Sequence, residues 1–336
     1  GGSGGSGSVR TVSGRYIHLL TLRQPGSSDA GPESFTSLES PKSPGSGESD
    51  RHLAPPEHME PPASGRSNGA VGHVSPDATT PLSDPAAAGD QRFFGKSAGY
   101  SIALREYGGD AAAWSAVLDC LGYSRNRRAF RQVALRLPWP VAQRAMECGG
   151  DASPLLRWAG GLGPKPRQLR GLRASAASPD WVLGGRPDNR PERRLDAAAV
   201  FARRWRERGP LDDIISAVRT AAGPKELIGR FLVAANSPGG RSLVGPGRAG
   251  EIVVNAVLPV VHAWSLIADR RDVGEKALQL YRDHPKLPEN AITREMTALL
   301  AKSGGAPDIR GAREQQGLIL MYRNMTAGSL FARPPQ

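Results

Sequence analysis

Residues 247–269, GRAGEIVVNAVLPVVHAWSLIAD, decide how the rest of the chain is read. The uncharged run inside this stretch, 252–268, falls short of the ~20 apolar residues that a membrane-spanning helix needs. It also carries Asn255, Pro259 and His262. A buried core helix, bent near Pro259, is therefore expected, with no membrane as partner. Four polar residues interrupt its Ile, Val, Leu and Trp faces. Arg248, Glu251, Asn255 and His262 recur at spacings of 3, 4 and 7, which places them on one stripe. Buried polar groups need partners. Either the stripe is an internal network, with Glu251 paired to an arginine such as Arg193 or Arg194, or it lines a cleft.

Working outward, the same helical period begins near residue 91 and continues to the end. The expected helices cover 91–106, 111–121, 125–137, 140–148, 191–208, 211–222, 225–234, 247–269, 273–283, 290–302 and 311–325, separated by Gly/Pro punctuation such as GGLGPKP and DHPKLPEN. The fold class is mainly α: a basic multi-helix C-terminal domain over 91–328. Before it, residues 1–8 (GGSGGSGS) read as a flexible linker and 9–22 as a small residual β-hairpin. Residues 23–90 are dense in Pro, Gly, Ser and Asp and read as a long disordered insertion, too poor in large apolar residues to offset the entropy of ordering. The chain does not start with Met, so a fragment or processed product is expected.

Charge is unevenly distributed. The whole chain carries +12, yet residues 1–90 hold 6 Lys and Arg against 10 Asp and Glu, which leaves the helical part strongly basic. Residues 121–210 alone hold 19 Lys and Arg against 7 Asp and Glu. Such a bias points to polyanions, nucleic acid first, or it reflects an arginine-rich composition with no ligand behind it. Within that segment Arg125, Arg127, Arg128 and Arg131 lie on one expected helix. Arg193 and Arg194 sit just inside the start of another, behind Pro191 and Glu192. Cations are unfavourable at a helix N-terminus, so this pair needs either internal carboxylates or an external phosphate. Asp212 and Asp213 read as favourable charge at a helix start.

Other signals are weaker. Cys120 and Cys148 show neither zinc-ligand nor disulfide spacing, which fits a reducing, cytoplasmic setting. The six histidines, among them His262 and His284, show no metal-ligand spacing, so neither a metal nor a cofactor is expected. GPGRAG supplies Gly245, Gly247 and Gly250 in the order of a dinucleotide fingerprint but lacks a feeding strand. GKSAG (95–99) spells a nucleophile-elbow motif inside helical sequence, and no histidine partner for Ser97 is evident. No catalytic constellation is expected in this chain.

Five blocks carry a family resemblance: LGYSRNRRAFRQVALRLP (121–138), GGRPDNRPERRLDAAA (184–199), GRAGEIVVNAVLP (247–259), LYRDHPKLPENAITREM (280–296) and QQGLILMYR (315–323). In order and spacing they resemble a bacterial family catalogued as domain of unknown function 2851, over roughly 91–325. SVRTVSGRYIHLLTL is similar to the piece just before them. The resemblance implies a longer N-terminal part, absent here, with Gly-x-Val-Glu-Ile-His and His-Gly-His segments suited to metal-dependent, nuclease-like chemistry. The expectation is then a basic helical domain that binds or positions nucleic acid for that missing N-terminal domain. The alternative is a purely structural helical module that packs against it with no polyanion ligand.

Overall fold

The computed structural model describes residues 84–173, 176–183, 190–235, 239–303 and 307–331. The hairpin at 9–22 and the insertion up to residue 83 lie outside them. The described chain is mainly helical, as its periodicity implies. In order the helices are α1 (Pro85–Tyr107), α2 (Gly109–Leu121), α3 (Tyr123–Arg136), α4 (Trp139–Glu147), α5 (Ala152–Ala159), α6 (Pro191–Trp205), α7 (Pro210–Thr220), α8 (Pro224–Arg230), α9 (Pro246–Ile252), α10 (Leu258–Ile267), α11 (Arg271–Arg282), α12 (Ala291–Ser303) and α13 (Ala312–Phe331). Among the described residues, β pairing is confined to isolated bridges, Val233 with Val244 and Pro285 with Gly311.

Several helices differ from the expected set, and two of the differences, at α1 and α5, have a local cause. Helix α1 begins at Pro85, within the stretch assigned to the insertion, because Asp84 accepts a hydrogen bond from the Ala86 N–H and Pro85 occupies the first turn. The small residues that follow conceal the helical period. Helix α5 had no counterpart in the expected set, since eight residues between Gly-rich flanks give too little periodicity. Helix α6 does start at Pro191, and Leu195, Ala199, Ala202 and Trp205 are all buried along it.

α9 and α10 are the two halves of one helix, Pro246–Ile267. By length and composition it could cross a membrane, yet 67% of that window is buried inside the domain. The irregularity lies just before Pro259, as a π-turn at Val253–Val257. Proline has no N–H to offer the carbonyl four residues back, so the Asn255 carbonyl is released from the ladder. The Tyr100 hydroxyl donates to it instead, at 3.2 Å. Around this helix Trp114, Trp139, Trp205, Phe130 and Phe201 fill the core.

α1 and α13 pack backbone to backbone. A Cβ at Gly89 would overlap the carbonyl oxygen of Arg313, and one at Gly317 would overlap that of Pro85. Polar contacts fix the register: Asp90 bridges Arg313 and Arg282, and the Tyr281 hydroxyl donates to the Gly89 carbonyl at 2.8 Å. Replacing Gly317 with alanine should force the two helices apart and lower stability by roughly 1–3 kcal/mol, the usual cost of overpacking. Urea denaturation of Gly317→Ala beside Gly95→Ala, whose added methyl meets nothing within 4 Å, checks this.

Candidate anion-binding site

The stripe on the 246–267 helix does line a cleft. Arg248, Glu251 and Asn255 face a space of about 450 Å3 whose other walls come from α1 (Arg92), the end of α2 (Asp119, Cys120), the start of α3 (Tyr123, Arg127), the 287–293 segment and α13 (Gln315, Gln316, Ile319, Arg323). His262 lies elsewhere. Its Nδ1 is 2.7 Å from Ser97 Oγ, and its ring packs edge-on against Phe93. Ser97 thus has the histidine partner that the sequence did not reveal. It sits in mid-helix at 2% exposure, however, so this pair joins α1 to α10 and presents no nucleophile.

Arginine pairing also differs from the expectation. Glu251 pairs with Arg248, one turn away on its own helix, and Arg248 Nη1 also donates to the Cys120 carbonyl at 3.2 Å. Among the described residues, the acceptors that Arg193 and Arg194 meet are backbone carbonyls and a tyrosine hydroxyl. Arg193 donates to the carbonyls of Arg241 and Ser242, Arg194 to the Leu243 carbonyl at 2.9 Å and to the Tyr123 hydroxyl. Two adjacent guanidiniums therefore satisfy an irregular loop whose backbone acceptors have no ladder partners. The Arg194 and Arg248 guanidiniums both lie over the Tyr123 ring. On α3, Arg127 and Arg131 share Asp119, while Arg125 and Arg128 are exposed. Farther along α6, Arg203 pairs with Asp151, and Arg204 donates to the carbonyls of Arg230 and Leu232. Several of the described basic side chains of 125–136 and 190–208 are thus divided among separate partners.

What converges instead are cations that the sequence reading passed over. Arg92 Nε and Lys96 Nζ both donate to Gln316 Oε1, each at 2.9 Å, and Lys96 also donates to Asn255 Oδ1. Neither has a carboxylate partner among the described residues. Burial lowers the Arg92 pKa to about 10, with Arg323 adding repulsion. Burial, then Arg92, hold the Lys96 ammonium well below the ordinary lysine range. Burial also lowers the Arg248 pKa, and its Nε has no acceptor although the residue is only 9% exposed. On the opposite wall the first turn of α12 reaches the cleft. Asn290 and Thr293 cap it reciprocally: the Thr293 N–H donates to Asn290 Oδ1 at 3.0 Å and the Asn290 N–H to Thr293 Oγ1 at 3.1 Å. The N-terminal end of that helix adds partial positive charge. Burial pushes the Cys120 thiol up to about 12, with Asp119 reinforcing it, so the thiol stays protonated and unreactive. Among the described residues no group of three His, Cys, Asp or Glu is placed to hold a metal ion.

The glycines of GPGRAG serve packing. A Cβ at Gly247 would strike Pro288, and one at Gly250 would press on His284 at 3.2 Å, so the 284–290 segment closes against the start of the helix. Gln315 clamps that segment through the Leu287 N–H and carbonyl. Comparison with protein families, curated proteins and solved structures finds no match for this chain.

Two measurements test this geometry. A double-mutant cycle between Arg248 and Glu251 should return a coupling of about 0.5–3 kcal/mol, whereas Arg193 and Glu251 should be additive. His284 supplies a pH test. Its Nδ1 donates to the Pro285 carbonyl, Nε2 has no partner, and burial lowers its pKa. The unfolded chain binds the proton first, so stability is full above about 6.5 and declines as pH falls toward the lowered folded value, by at most ~1.4 kcal/mol per pH unit. Urea midpoints at pH 7.5 and 5.5 should converge in His284→Gln relative to the parent.

Proposed function

We infer that this helical domain binds nucleic acid through its phosphates, and that the cleft between α1, α3, α12 and α13 is where a phosphate is held. The observation that supports this is charge without compensation. Arg92 and Arg323 line the cleft without a carboxylate partner among the described residues, and Arg92 shares one neutral amide oxygen, of Gln316, with Lys96 behind the wall. Part-buried cations tied only to an amide repel each other, and an incoming anion relieves that repulsion. The exposed Arg125 and Arg128 at the start of α3 extend the positive surface past Arg127, which lines the cleft. Positioning nucleic acid for a separate N-terminal domain, as the family resemblance implies, belongs to the same proposal.

The test is fluorescence anisotropy of a labelled single-stranded oligonucleotide with the full chain across a salt series. A straight line of log K against log salt with a negative slope is expected, from release of counterions. Arg323→Ala should weaken binding and reduce the slope by about one, while circular dichroism stays unchanged. A flat salt dependence, or no binding at low salt, would leave the domain as a structural module.

A further inference from the structure

We propose, on the basis of the phosphate-binding reading above, that the cleft selects a phosphate monoester carrying an organic body: the phosphorylated end of a strand, or a free mononucleotide. Two features of the cleft distinguish a monoester from the internal phosphodiesters of a strand.

The first is the charge it can accept. Arg127 and Arg248 already have Asp119 and Glu251. Arg92 and Arg323 line the cleft without a carboxylate partner among the described residues, and Lys96, outside its wall, lies behind them on the Gln316 oxygen that it shares with Arg92. A diester brings one negative charge, whereas a monoester brings about −1.5 to −2 at pH 7, which matches the pair. The donors fit the same ligand. The Gln316 oxygen is engaged by Arg92 and Lys96, which turns its amide NH2 away from them, and this residue, 3% exposed, lines the cleft. Arg248 Nε is a second buried donor without an acceptor, and the α12 N-terminus faces both from across the space.

The second feature is shape. The Tyr123–Arg248 stack lines this cleft and also a separate depression around Arg193 and Arg241, so it forms a partition between the two. On that side an entering chain meets the stack rather than an open groove, which suits a terminal group better than a strand running through. Leu287, Pro288, Ile292 and Ile319 add an apolar patch to the polar lining. It suits the sugar or base of a nucleotide and offers inorganic phosphate nothing. A space of about 450 Å3 falls in the range that holds a small organic ligand.

The experiment compares one oligonucleotide sequence with a 5′-phosphate, a 3′-phosphate or hydroxyls at both ends, together with a mononucleotide and inorganic phosphate as competitors, against the full chain and Gln316→Glu. The substituted carboxylate would neutralise Arg92 and Lys96 from within, so this variant should fold at least as stably as the parent. At least a tenfold preference for one phosphorylated end is expected, abolished in Gln316→Glu with no loss of thermal stability. Competition by the mononucleotide at the same concentration as the phosphorylated strand would assign the ligand to the free nucleotide, and its failure to compete would assign it to the strand end. Equal, salt-dependent affinity for phosphorylated and hydroxyl ends would overturn the monoester proposal and leave the phosphate reading intact. Binding of the mononucleotide without any oligonucleotide would do the reverse. A preference that survives Gln316→Glu would place the phosphate elsewhere and overturn the proposal.

Discussion

The backbone contact between α1 and α13 at Gly89 and Gly317 is the constraint on which the candidate site depends. With no Cβ on either side the two helices approach closely, and the carbonyls of Pro85 and Arg313 fill the space that side chains would otherwise take. This contact sets the register so that Arg92 and Lys96 meet Gln316 in the next turns, with Asp90 holding Arg313 and Arg282 at the same end. A shift of one helical turn, about 5.4 Å, would take Gln316 away from both cations and leave Arg92 without this acceptor. The glycines thus determine which polar groups meet, although neither touches the cleft.

A second constraint acts through Pro259. By removing one N–H from the long core helix it frees the Asn255 carbonyl for Tyr100 and places the π-turn where Asn255 can receive Lys96. The result is a domain with an apolar interior and one polar seam, in which carboxylates match some arginines and backbone carbonyls match others. Lys96 and Arg92 are matched only by amide oxygens. Their lowered pKa values express the same imbalance as the geometry, since burial and mutual repulsion both disfavour the charged forms.

Several arginines that sequence composition suggested as a nucleic-acid surface have internal work. Arg193 and Arg194 support the 241–243 loop, Arg204 supports the carbonyls after α8, and Arg127 and Arg131 share Asp119. An arginine offers several donors in a rigid fork, so it can satisfy stray carbonyls at the ends of short helices without any ligand. A positive net charge is therefore a poor guide to where an anion binds. The position of the unmatched cations is a better one.

The helical class, the start of α6 at Pro191, its buried face of Leu195, Ala199, Ala202 and Trp205, and three members of the polar stripe, Arg248, Glu251 and Asn255 but not His262, were legible in the sequence. Each follows from the 3.6-residue period or from the chemistry of a helix end, which act over a few residues. The missed start of α1 and the missed α5 are failures of the same signal where small or few residues weaken it. Partner choice was not legible. Glu251 takes Arg248 rather than Arg193, Ser97 finds His262 at a separation of 165 residues, and Lys96 and Arg92 meet Gln316 at separations of 220 and 224. Which distant helix faces which is set by the sum of many weak packing contacts around the core. No local pattern encodes that sum, so the sequence determined the helices and their polar stripe, and only the tertiary packing brought two unmatched cations to one amide oxygen at the wall of the cleft.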